Sequence, residues 1–206
     1  MLEPWSDVGP SEWVTRGSTD TRLTVGGLIP AKYPAYARVL HSVPPDTWSS
    51  LAARAGIPLS PTVQWDHIDV SSEGEPSGLA PRVGFLLPDD ARRLSAVLEA
   101  QTTAPDSCWF GLWEGWADAV APREAAIFAW SLRDLALFHG AVDDVLGFPG
   151  ERTPAVWWPE DRSWFVVTEV DYDSTIVGGT QACIDAVVGC CLEVLRIGPE
   201  DDLLLR

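Results

Sequence analysis

The sequence predicts an α+β fold: a mainly antiparallel sheet with three or four helices packed on one face. Three observations carry that prediction. Short apolar or alternating segments outnumber helical ones. Neighbouring segments are mostly joined by brief turns rich in Pro, Gly, Asp and Ser, which suit hairpins better than crossovers. The 206 residues, 46% hydrophobic and 21% charged, suffice for one core without disulfides or metal, so residues 1–206 are expected to form a single domain.

The elements follow in chain order. Residues 1–20 are polar and contain Pro and Gly, as in an irregular arm anchored by Trp5 and Trp13. Arg22–Gly27 alternates briefly as a strand, and Pro34–Ser42 is a strand or a short helix that periodicity cannot separate. Pro44-Pro45-Asp46 starts a helix over Thr47–Ala55, and Gly56-Ile57-Pro58 ends it. Thr62–Val70 reads as a strand, and residues 71–81 as a mobile loop. Asp89–Gln101 carries Ala91, Leu94, Val97 and Leu98 at helical spacing, with Asp89 as a cap.

Cys108–Trp113 is an aromatic strand. A loop over Gly115–Glu124 separates it from strands at Ala125–Trp130 and Arg133–Phe138. A short helix over Ala141–Leu146 and a loop over Phe148–Pro154 come next. Ala155–Trp158 and Trp164–Tyr172 read as a hairpin across Pro159–Ser163. A loop over Ser174–Thr180 then leads into a helix, Gln181–Cys190, capped by Thr180, and Glu193–Ile197 is the last strand.

Charge narrows the function classes. The formal net charge is −16, with thirty acids against thirteen arginines and one lysine, Lys32. Residues 1–65 balance five acids with five bases, so residues 66–206 carry the whole excess. Such a field repels nucleic-acid phosphates and anionic lipid, and attracts basic partners or cations. Acidity also keeps a chain with eleven tryptophans in solution, which is the blander explanation. The N-terminus lacks the basic and apolar regions of a signal peptide, and no apolar stretch is long enough to span a bilayer, so a cytoplasmic location is expected. Cys108, Cys183, Cys190 and Cys191 form no zinc spacing and are expected to stay reduced.

Three constellations could carry chemistry. On a strand over Trp164–Asp173, one face changes from Phe165 and Val167 to Glu169, Asp171 and Asp173, with Cα atoms roughly 6.6 Å apart. Three like charges in a row suit a divalent cation or an acid/base pair, although solvated acids at a strand end are commoner. His67 and Asp69 share a face of the expected strand at Thr62–Val70, as an Asp-oriented histidine would. Among the tryptophans, Trp113, Trp116, Trp157 and Trp158 are candidate contact residues. Adjacent Trp157 and Trp158 point to opposite faces, so one is exposed unless both faces are covered. No nucleotide, nucleophile or cofactor motif is present, and a divalent cation is the one group the carboxylates could take.

The run Trp157-Trp158-Pro159-Glu160-Asp161-Arg162-Ser163-Trp164, with Thr168-Glu169-Val170-Asp171 and Ser174-Thr175-Ile176-Val177-Gly178-Gly179, resembles a segment of an uncharacterised family of acidic actinobacterial proteins. Leu28-Ile29-Pro30, Tyr33, Tyr36–Val39 and Ser107–Phe110 are similar to that family too. The resemblance implies one domain and brings no activity with it. The expected function is therefore a non-enzymatic, immunity-like interaction with a basic protein partner. The alternative is a small-molecule or divalent-metal enzyme centred on Glu169, Asp171 and Asp173.

Overall fold

The computed structural model describes residues 1–17, 24–30, 32–68 and 79–203. Among them, nine strands form one sheet: β1 (Glu3–Pro4), β2 (Ala35–Leu40), β3 (Cys108–Trp113), β4 (Ile127–Trp130), β5 (Arg133–Gly140), β6 (Val156–Pro159), β7 (Trp164–Val167), β8 (Ser174–Gly179) and β9 (Val194–Ile197). The order across the sheet is β1-β5-β3-β6-β7-β8-β2-β9. β4 lies beside β1 on the same edge of β5. Every pairing is antiparallel. Six α-helices accompany it: α1 (Glu12–Gly17), α2 (Val25–Leu28), α3 (Trp48–Ala55), α4 (Trp65–Ile68), α5 (Pro88–Glu99) and α6 (Gln181–Val188). The fold is α+β, as the turn-rich sequence implies.

Both sheet faces are covered, and alternation decides which residue meets which layer. Phe110, Trp157, Trp164, Val166 and Val177 face Leu94 and Leu98 of α5 and Ile184 and Val187 of α6. Trp109, Trp158, Phe165 and Ile176 face Val14 of α1 and Val25 and Leu28 of α2. The expected helical layer corresponds to the α5/α6 side, and the short helices close the other. That double cover is why CWFGLW and VWWP are apolar throughout instead of alternating. Each fully buried indole removes on the order of 200 Å² from water, worth about 5 kcal/mol before conformational entropy. The buried N–H groups also tie layers together: Trp164 Nε1 donates to Leu98 O at 3.0 Å, and Trp130 Nε1 to Leu28 O at 3.2 Å. A smaller third cluster packs Trp48 and Leu51 of α3 against Trp65 and Ile68 of α4 and Leu40 of β2.

Several expectations change. The N-terminal arm contains β1 and α1. Val25–Leu28 is a helical turn capped by Thr24, not a strand, and residues 22–23 lie outside the described ones. Thr62–Val70 is not a strand: residues 65–68 form α4, because Trp65 and Ile68, three positions apart, bury together against Trp48. Of the loop expected at 71–81, residues 71–78 lie outside the described residues, and Pro81 is buried. α5 starts on Pro88 without a side-chain cap from Asp89. Ser174–Gly179 is a central strand instead of a loop. Its glycines leave room for neighbours, since a Cβ at Gly178 would crowd Tyr33 and one at Gly179 would crowd Cys183. Thr180 caps α6 as expected, accepting from Cys183 N at 3.1 Å.

Candidate functional site

β7 ends at Val167, short of the expected Tyr172, because the chain turns there. Thr168 N donates to Ala155 O, and Tyr172 N closes a turn on Glu169 O at 2.9 Å. Glu169, Asp171 and Asp173 therefore sit in the β7–β8 connection and do not share a strand face. Their counter-ions are arginines. Glu169, 7% exposed, accepts from Arg133 Nε at 3.0 Å and from the Asp171 backbone N–H at 2.6 Å. Asp171, largely exposed, accepts from Arg133 Nη2 at 2.5 Å. Asp173 turns the other way, to Arg38 Nη2 at 3.2 Å.

Arg38 is 1% exposed, and four of its five guanidinium N–H groups are engaged. Nε donates to Ser174 Oγ, Nη1 to the carbonyls of Pro61 and Val63, and Nη2 to Asp173. Burial lowers the Arg38 pKa and raises that of Asp173, with the mutual attraction only partly offsetting either effect. Just past the end of β2, His41 is fully buried. Its Nδ1 faces Arg82 O at 2.5 Å and its Nε2 faces Thr175 Oγ1 at 3.0 Å, which in turn meets Thr168 Oγ1 at 2.7 Å. A carbonyl only accepts, so Nδ1 carries the proton, Thr175 donates to Nε2, and Thr168 donates to Thr175. Burial drives the imidazole down to about 4, so it is neutral at physiological pH.

Arg38 and two of the three acids, Asp171 and Asp173, border a cleft of about 510 Å³ including its open mouth. Arg38, Asp173 and Ser174 form its sheet side, and Asp171 and Tyr172 come from the β7–β8 turn. Trp65 and Asp66 of α4 stand across from them, and Pro81, Val83 and Leu203 supply apolar wall. Trp65 Nε1 and Tyr172 Oη are buried and have no hydrogen-bond partner among the described residues. Burial, reinforced by nearby carboxylates, raises the Tyr172 pKa, so its hydroxyl stays protonated.

The other expected site residues disperse. His67 lies on α4 and faces solvent, because Trp65 and Ile68 take the buried face of that short helix. Asp69 lies outside the described residues. Trp157 and Trp158 are each 1% exposed, closed to any partner because both sheet faces are covered. Trp113 and Trp116 are half-buried in an edge-to-face pair, and their rings carry guanidinium groups: Arg133 over Trp113 at 5.2 Å and Arg152 over Trp116 at 4.0 Å. Among the described residues, no group of three or more His, Cys, Asp or Glu side chains is placed to hold a metal ion. All four cysteines are free, and burial pushes the Cys108 thiol up to about 12 and that of Cys183 up to about 11.

Sequence reasoning thus located Asp171 and Asp173 and overlooked Arg38, Trp65, Asp66 and Tyr172. One signal was available: a lone arginine inside the apolar strand AYARVL calls for a buried acceptor set. No family model matches the chain, and neither the curated proteins nor the solved structures contain a match to it. No helix among the described residues is long and apolar enough to cross a membrane.

Proposed function

We propose that this is a non-enzymatic, acidic interaction protein that captures a basic protein partner, in the manner of an immunity protein neutralising a cationic toxin. One observation carries the reading: among the described residues, seven of the chain's fourteen basic side chains are paired with acids of the same chain, which leaves the surface with an excess of carboxylate. Arg16, Arg54, Arg92 and Arg196 pair with Glu12, Asp46, Asp89 and Asp185, Arg152 pairs with Asp118, and Arg38 and Arg133 pair with the acids described above. Among the described residues, the exposed carboxylates outside these pairs, including Asp66, Asp106, Glu114, Glu124, Asp134, Asp143 and Glu160, outnumber the exposed bases outside them, Lys32, Arg82, Arg93, Arg123 and Arg162. A surface with a large excess of one sign steers an oppositely charged partner and repels nucleic acid.

The test is titration with a short peptide of alternating arginine and serine, with an alternating glutamate and serine peptide as control. Saturable binding of the basic peptide that weakens as salt rises, and none of the acidic one, is expected. Binding that ignores ionic strength, or no binding at low salt, overturns the reading.

A further inference from the structure

We infer that the cleft between α4 and the β7–β8 turn is a recognition pocket for one basic side chain of a peptide segment and for the backbone beside it. This rests on the reading of the protein as a binder of basic partners and names where the contact is made. Two independent features of the cleft point the same way.

The first is charge. Arg38 neutralises Asp173 and uses four of its five N–H donors within the fold. Arg133 sets one positive charge against two carboxylates, Glu169 and Asp171. Asp66 stands exposed on the opposite wall. The rim therefore keeps uncompensated negative charge on both sides of an apolar floor. A long cationic side chain suits such a slot, with its methylenes on Pro81, Val83 and Leu203 and its charged head at the rim.

The second is the pair of polar groups without partners, Trp65 Nε1 and Tyr172 Oη, each on a residue 8% exposed. Buried donors without acceptors are uncommon and expensive to leave unmade. An indole N–H requires an acceptor, which a metal ion or a simple amine does not bring. A peptide brings both parts, a carbonyl oxygen for the ring donors and a cation for the rim. The aromatic walls add attraction for a guanidinium or ammonium group.

The experiment titrates the intact chain with a capped peptide holding one arginine among glycines, and with the same peptide carrying neutral citrulline. The arginine peptide should bind and the citrulline peptide should bind at least tenfold more weakly. Asp66→Asn and Asp171→Asn should each weaken the arginine peptide several-fold. Tyr172→Phe is the sharpest variant, because it removes a hydroxyl that the fold leaves unbonded. Its melting temperature should hold or rise while peptide affinity falls. Equal affinity for citrulline, or unchanged affinity in all three variants, overturns the proposal. If the variants still take up the polybasic arginine–serine peptide in a salt-dependent way but never discriminate the single arginine, this proposal fails and the broader reading survives. If neither peptide binds, both fall. Thermal stabilisation by calcium or magnesium in place of peptide would also overturn it.

Discussion

At the residue scale, His41 links the sheet to the cleft. Its Nδ1–H holds the Arg82 carbonyl, and so the wall that carries Pro81 and Val83, against β8. The imidazole has an ordinary value of 6.5 when unfolded and about 4 when folded, so between these values only the unfolded chain takes up the proton. Its stabilisation is therefore complete above pH 6.5 and is lost as pH falls toward 4, amounting to about 3 kcal/mol. Denaturant melts of wild type and His41→Gln at pH 7.5 and pH 4 should differ in their pH response by that amount, the variant responding less. Equal responses would refute the role of His41. Nothing local in the sequence marked this residue. His41 meets Thr175, 134 positions away, and Arg38 meets Asp173, 135 positions away, so both pairings exist only once β2 docks on β8.

At the element scale, the β7–β8 turn and the loop before α5 form one unit. Gly84 N donates to Tyr172 O at 2.8 Å, and Gly84 holds φ +83°, where a Cβ would strike the Val170 carbonyl. Gly84→Ala should cost about 2–4 kcal/mol, from the unfavourable φ and the displaced turn together, and should loosen the cleft. A thermal melt within a degree of wild type would count against it. The β6–β7 hairpin is fastened at its tip by Asp161. Burial would raise its pKa, but bonds from Thr103 and Ser163 outweigh that and hold the carboxyl well below the usual range. That contribution is present above the unfolded value near 3.8 and is lost on further acidification. Asp161→Asn should lower stability by about 1–2 kcal/mol at neutral pH, read from its denaturation midpoint. An unchanged midpoint would dismiss the clasp.

Elements whose local pattern agrees with their packing were legible: β3, β6, α3 and α6 all fall within a few residues of expectation. α4 was not, because TVQWDHIDV alternates like a strand and only Trp48 makes Trp65 and Ile68 a helical pair. β8 was not either, since Gly-Gly reads locally as a turn, while its need for glycine comes from Tyr33 and Cys183 pressing on it.

At the scale of the whole molecule, a net charge of −16 opposes compaction. The exposed ion pairs that salt would weaken are worth only about 0–1 kcal/mol each. Relief of self-repulsion should dominate, so the melting temperature should rise between low and physiological salt, while the affinity for a basic peptide falls. A melting temperature that drops with salt would place the ion pairs first. The strand order has a temporal consequence as well. β2 belongs to the first fifth of the chain, yet its neighbours on the sheet are β8 and β9. As the chain leaves the ribosome, β2 and its buried arginine must wait, unpaired, until nearly all of the remaining sequence has been made. Assembly is thus dominated by long-range closure, the slow regime of folding. The cleft, which straddles that last seam, is among the final features to form.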